Sequence, residues 1–262
     1  MMRLDRYLAS CTALTRSQAV RAVREGRVRI DGRAVKSPDE RVDEGTALVT
    51  LDGEACSYEK FQYYMLDKPA GILTARRDSS RETVLDLFPP EIRKRGISPV
   101  GRLDKDTSGL LLLTDDGDLA HRVLSPRSGI RKLYEALVEG TPGEEAVRRF
   151  REGIVLGDGT VCLPAGLEIL PPDKALCAAD FSGGEEAASR CTGPCTGVRV
   201  TVCEGKYHQV RRMLAAVGCP VLALRRVRVG GLALPTGSVP GTWRKLSSED
   251  LCNLFNGQSM EK

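Results

Sequence analysis

Near the start of the chain, apolar side chains recur at Leu4, Tyr7 and Leu8, the i, i+3, i+4 spacing of one helical face. Thr15-Arg16-Ser17-Gln18 then has the form of a capping box, and Ala19, Val20 and Val23 follow at helical spacing up to Gly26, which predicts a second short helix. From Val28 the period changes to two: Val28-Arg29-Ile30 alternates, and Asp31-Gly32 before Val35 predicts a hairpin. With Val28 and Ile30 facing inward, Arg27 and Arg29 face out beside Arg16, Arg21 and Arg24, making a compact basic module over residues 1–50. Residues 51–60 carry Gly53, Ser57 and mixed charges without a period, and are expected to form a linker. Phe61–Leu66 is an apolar, aromatic-rich stretch that predicts a strand. Further strands are expected at 110–114, 133–139, 198–203 and 221–229, interleaved with helices at 118–125, 143–152 and 208–217. The fold class is therefore α+β, with a small helical and hairpin domain before a mixed, largely antiparallel sheet domain flanked by helices over residues 61–250. Residues 182–197 are small, Gly-rich and aperiodic, and are expected to be an exposed, mobile loop; residues 251–262 are expected to form a tail.

Composition narrows the setting. A chain of 262 residues fits two domains at roughly 100 to 200 residues each. No uncharged apolar run approaches the roughly 18 residues of a spanning helix, and the first residues turn polar within three positions, so a cytoplasmic protein without a membrane segment is expected. Nine scattered cysteines do not read as a disulfide framework. Cys191 and Cys195 form a C-x3-C pair, but with two histidines in the whole chain no metal site is expected. The net charge is only +4, yet residues 1–36 carry nine basic and three acidic side chains, and residues 199–245 carry nine basic and one acidic. Two basic segments on an otherwise acidic chain are what a bound polyanion such as nucleic acid requires, and are equally what two solvated faces produce.

The sharpest candidate for chemistry is Gly101-Arg102-Leu103-Asp104-Lys105-Asp106-Thr107-Ser108-Gly109, a polar loop bounded by glycines that runs straight into the apolar strand Leu110–Leu113. A loop pinned to a buried strand can hold a carboxylate rigidly at a cleft, although an aspartate there can also serve as a turn cap.

Specific strings in the chain carry two resemblances. Arg3–Leu8, Thr15–Ala19 and Gly26–Gly32 together resemble an S4 RNA-binding domain; a generic basic helical module or a helix-turn-helix DNA binder would lack the Asp-Gly hairpin. Gly101-Arg102-Leu103-Asp104 followed by Asp106-Thr107-Ser108-Gly109 resembles the signature loop of pseudouridine synthases that act on ribosomal RNA and carry an N-terminal S4 domain. Lys68-Pro69-Ala70-Gly71, Lys132-Leu133-Tyr134 and Glu204–Leu214 resemble the family's other motifs. The wording Tyr207-His208-Gln209-Val210-Arg211-Arg212-Met213 and the stretch Val227–Gly231 resemble the small-subunit type, which modifies 16S rRNA. Relative to that pattern, residues 182–197 are an insertion and Cys219-Pro220 is unfamiliar.

The resemblance implies Asp104 as the catalytic carboxylate, Arg211 as its guanidinium partner and Tyr134 as a ring on which a flipped base stacks. It further implies Arg102 as the residue filling the gap that the base leaves. Arg16, Arg21, Arg24, Arg27, Arg29, Lys206 and Arg212 are expected to contact RNA, and His121 and His208 to be structural. Moving a uracil from N1 to C5 attachment consumes no electrons or group donor, so no cofactor is expected, and neither nucleotide-binding glycine motif is present. The expected partner is ribosomal RNA or an assembling ribosomal particle, bound by a monomer. The other readings are a 23S rRNA synthase, a non-catalytic S4-type assembly protein, which would have no need of Asp104, Tyr134 and Arg211 together, and a hydrolase using Asp104 and Asp106. The last is disfavoured, because two loop residues do not specify the roughly 5 Å or 6.5 to 9.5 Å carboxyl separation that chemistry needs.

Overall fold

The computed structural model describes residues 1–171, 176–189 and 193–256. Its contacts divide the chain into two units, Met1–Gln62 with Pro89–Ile97, and Tyr63–Phe88 with Ser98–Lys262.

In the first unit, β1 (Met2–Arg3) leads into α1 (Leu4–Cys11) and α2 (Arg16–Arg24). The α2 capping box forms: the Thr15 hydroxyl accepts from the Gln18 amide while the Gln18 side chain accepts from the Thr15 amide. β2 (Val28–Ile30) turns through Asp31 and Gly32, both at positive φ, into β3 (Arg33–Ala34). β4 (Arg41–Val42) pairs with β1, and β5 (Val49–Leu51) and β6 (Glu54–Cys56) complete a four-stranded sheet of order β3-β2-β5-β6. Leu4, Tyr7, Leu8, Ala19, Val23, Val28 and Ile30 form the core, so Arg27 and Arg29 alternate outward as the period predicted. Asp5, almost wholly buried, accepts from the guanidinium of Arg3 at 3.0 and 3.2 Å and from Arg16 at 3.1 Å, and the Arg3 bond first, with Arg16, holds its carboxyl down to about 2.

Two expectations change here. Residues 51–60 are not a structureless linker, because β6 pairs along β5 through a second tight turn at Asp52 and Gly53, both at positive φ. The first unit also includes α3 (Pro90–Lys94): Arg95 just after it donates to the carbonyls of Ser10 at 2.7 Å and Glu59 at 2.8 Å. A short helix flanked by prolines gives no periodic signal that could have assigned it to a domain 30 residues away.

The second unit is built on one sheet with nine strands among the described residues: β7 (Tyr63–Lys68), β8 (Ser98–Pro99), β9 (Thr107–Thr114), β10 (Lys132–Glu139), β11 (Gly166–Ile169), β12 (Cys195–Val202), β13 (Val221–Val229), β14 (Leu232–Ala233) and β15 (Trp243–Lys245). The main order is β11-β12-β10-β13-β9-β7-β15, antiparallel throughout except for the parallel pair β9 and β13. Every residue of β9 is buried, which explains its uninterrupted run of leucines. The helices are α4 (Gly117–Leu124), α5 (Glu144–Glu152), α6 (Gly184–Ala188), α7 (Gln209–Ala216) and α8 (Ser248–Asn256).

β7 begins two residues later than expected and runs on through the polar pair Asp67-Lys68, whose burial is made possible by partners described below. The segment expected to be an exposed loop is only partly so. Phe181 packs against Leu137 and Ala223, α6 follows it, and β12 begins at Cys195, while Arg190, Cys191 and Thr192 lie outside the described residues. The expected tail begins within α8, whose Leu254 is wholly buried; residues 257–262 lie outside the described residues.

Candidate active site

Positioning begins with Lys68, at the end of β7. Its side chain is fully buried, and its ammonium donates to the carbonyls of Pro69 (3.0 Å), Asp104 (3.3 Å), Lys105 (3.0 Å) and Thr107 (3.0 Å). Burial pulls its pKa down to about 8, opposed by the charges of Asp106 and Asp104. Gly71 donates to the Lys105 carbonyl at 2.9 Å, and Thr74 both donates to and accepts from the backbone of Leu103. The loop 101–106 is thus fastened through its backbone, which leaves the Asp104 side chain to point away from its anchor, about one-third exposed.

Beneath it, the parallel pair β9 and β13 approach closely at Gly109, where a Cβ would come within 2.2 Å of the Arg226 carbonyl. This φ of +103° and this contact require glycine. Tyr134 on β10 pairs with Arg226 across a register shift that leaves Val227 extra on β13, a bulge that aims Arg226 towards the Tyr134 hydroxyl at 3.5 Å. The Arg226 guanidinium, nearly wholly buried, also donates to the Leu110 carbonyl at 2.8 Å.

The third wall is the turn before α7. Buried Glu204 accepts from the Leu163 amide, the Gln209 side chain and the Lys206 ammonium, and Gln209 in turn accepts from the Lys206 amide. His208 at the α7 N-cap has φ 48°, a backbone conformation uncommon for histidine, and it stacks on Tyr207 with ring centroids 3.9 Å apart. Its Nε2 lies 3.4 Å from Asp104 Oδ1, while Arg211 Nε lies 3.9 Å from Asp104 Oδ2 and Arg211 Nη2 donates to the Asp106 carbonyl at 3.1 Å. A cavity of about 70 Å³ touches Asp104, Tyr134, Arg102 and His208, and a wider cleft of about 940 Å³ shares these four with Lys132, Arg226 and the exposed ring of Tyr207.

The fold therefore brings Asp104, Tyr134, Arg211 and Arg102 together from positions spread over more than a hundred residues of sequence. His208, expected to be structural, lies beside Asp104 in the structure. Its spacing from Arg211, i to i+3 at the start of one helix, is the signal that places both on one side. His121 sits in α4 and lines neither the cavity nor the wider cleft. Several expected RNA contacts are already ion-paired: Arg212 with Asp158 at 2.5 Å, Lys206 with Glu204 at 3.0 Å, Arg16 with Asp5, Arg21 with Glu25 at 3.6 Å, and Arg27 with Asp52 at 2.5 Å. Arg24 and Arg29 have no acidic partner among the described residues.

A carboxylate held beside a guanidinium and an imidazole, at a cleft floored by a tyrosine ring and rimmed by an exposed arginine, is equipped to act on a flat nucleobase turned into it. Such an arrangement suits a site that modifies bases of nucleic acid. Residues 62–216 match the family model described as RNA pseudouridylate synthase, and residues 2–48 match that of the S4 domain. The chain belongs to the RNA pseudouridylate synthase family, in the form that carries an S4 domain, and as such is an isomerase acting on RNA. It is 39% identical to the uncharacterized RNA pseudouridine synthase YtzG of Bacillus subtilis (strain 168) over 95% of this chain and 97% of that one. It is 33% identical to ribosomal small subunit pseudouridine synthase A of Escherichia coli (strain K12), covering 97% of this chain and all of the other. A solved crystal structure of a pseudouridylate synthase superposes with a TM-score of 0.62 at 32% identity, over 97% of this chain and 100% of that one.

Proposed function

We propose that this protein converts one uridine of small-subunit 16S rRNA to pseudouridine, at the position numbered 516, with Asp104 as the carboxylate that acts on the flipped nucleotide. The observation that carries this reading is the convergence of Asp104 and Tyr134 on one cleft with Arg211 Nε 3.9 Å from the Asp104 carboxylate, in a chain alignable from end to end with small-subunit synthases. A base within an RNA stack hides both its glycosidic bond and C5, so it must turn out at a cost of a few kcal/mol, partly recovered by stacking on Tyr134. Arg102, exposed at the rim, fills the gap the base leaves. Asp104 must be ionised to react, and Arg211 and His208 on either carboxylate oxygen hold it aimed. The S4 unit supplies RNA affinity, largely through phosphates and shape, with Arg24 and Arg29 among its cations that have no acidic partner among the described residues.

Asp104→Asn tests the assignment, because the amide is nearly the same shape but is not a nucleophile. Pseudouridine formation on a 16S rRNA fragment is expected to vanish while RNA affinity stays within about tenfold, since phosphate contacts dominate binding. Turnover near the wild-type rate removes Asp104 from the chemistry.

A further inference from the structure

One buried cation in the cleft has no task in this account. Lys132, at the start of β10, is 5% exposed, yet it lines the wider cleft together with Asp104 and Tyr134. Its ammonium has no hydrogen-bond acceptor and no ion pair among the described residues. The carboxylate whose charge reaches it, Glu204, is engaged by Lys206, Gln209 and the Leu163 amide; the Cys203 thiol also favours its charge, and Arg226 repels it. Burial, followed by that repulsion, lowers its pKa. A largely desolvated ammonium without a hydrogen-bond acceptor is costly, and at the wall of a cleft it is kept where something else supplies the acceptor.

Position indicates what that is. Lys132 and Tyr134 are two residues apart on one strand and so share a face, about 6.6 Å apart along β10 at the usual rise of a strand. A uracil lying on the Tyr134 ring spans that distance with its edge. A hydrated, bulky phosphate is better served by exposed cations such as Arg102 and Lys105 at the rim.

We propose that Lys132 is a further catalytic residue, donating a hydrogen bond to a carbonyl oxygen of the flipped uracil and stabilising the negative charge the base carries when its bond to the ribose breaks. This rests on the pseudouridine-forming reading of the site. When N1–C1′ breaks, its electron pair stays on the base and spreads onto O2 and O4. When the base returns, that pair forms C5–C1′, the C5 proton leaves to solvent and N1 takes one up, so atoms and electrons balance. A donor already in place at the oxygen needs no rearrangement as charge develops.

The test is single-turnover pseudouridine formation on a 16S rRNA fragment carrying uridine, 2-thiouridine or 4-thiouridine at the target, since sulfur is the poorer acceptor. Lys132→Met is expected to slow the uridine reaction by about a hundredfold, the range for loss of one such donor, with affinity changed less than about threefold. Lys132→Gln, which keeps a neutral donor, is expected to fall between. In the wild type one of the two thio substitutions should slow the reaction, and in Lys132→Met that same substitution should cost nothing further. A methionine variant within threefold of wild type overturns the proposal, and so does a thio effect that is absent in the wild type or undiminished in the variant. Should Lys132→Met fail to fold, as judged by circular dichroism and melting, Lys132→Gln across the three substrates decides in the same terms. A wild type that makes no pseudouridine on the fragment overturns the proposed function itself, and this role with it.

Discussion

Lys68→Met removes the ammonium that ties the Asp104 loop to β7 while keeping most of the aliphatic volume. Four carbonyls lose a charged donor; its three N–H groups make at most three full bonds of that kind, which contribute about 1.5 to 3 kcal/mol each. Against this stands the cost of burying the charge: a pKa drawn from 10.5 to about 8 corresponds to about 3 kcal/mol. Taking the low end for three bonds leaves roughly 1 kcal/mol of net stabilisation, and its loss should lower the melting temperature of the larger unit by about 2 to 4 °C. Activity should suffer more than stability, since an ångström of freedom at Asp104 can cost about a hundredfold in rate. The pH dependence separates these effects. Because the folded pKa lies below that of a free lysine, the unfolded chain binds the extra proton between about pH 8 and 10.5, and wild-type stability should rise through that window relative to Lys68→Met. Over the same range the loop loses a donor, so the wild-type rate should fall from about pH 8 upward and the residual rate of the variant should not. Thermal melts and single-turnover rates at matched pH are the assays. A variant with the wild-type melting temperature and rate refutes the idea that Lys68 holds the loop.

Arg211→Met should reduce the single-turnover rate by one to two orders of magnitude with α7 still folded, and Arg211→Lys, which keeps the charge but not the planar fork, should fall between; a wild-type rate for the methionine variant would make Arg211 a bystander. Replacing both Arg24 and Arg29 by Gln should weaken binding to folded rRNA fragments and reduce the slope of log affinity against log salt by about two, whereas Arg27→Gln, already paired with Asp52, should change that slope little. An unchanged slope in the double variant moves the main phosphate contact out of the first unit.

Much of the architecture was legible because local signals and tertiary demands agree. The Thr15–Gln18 capping box, the Asp31-Gly32 turn and the alternation of Val28 and Ile30 each appear where the pattern required. The polar end of β7 was not legible, because Asp67 and Lys68 interrupt an apolar run and only distant partners, Arg225 at 2.7 Å and the carbonyls of the Asp104 loop, make their burial tolerable. Charge counting likewise reported where arginines are frequent and not which are free: Arg16, Arg21, Arg27 and Arg212 look equivalent to Arg24 in sequence until their acids come into view. At the site, Asp104, Tyr134 and Arg211 took roles from the family motifs, whereas His208 and Lys132, which lie within the same motifs, were given none at the site. Their significance lies in one short distance and one missing partner, which are properties of three-dimensional packing.

The central claim is that this chain makes one pseudouridine in small-subunit rRNA through Asp104. Its most direct test is a pseudouridine map of total rRNA from cells with the gene, without it, and complemented by wild type or by Asp104→Asn. The account predicts that a single 16S position loses its pseudouridine on deletion, regains it with wild type and stays unmodified with the variant. A 16S map unchanged by deletion, or a site restored by Asp104→Asn, would contradict it.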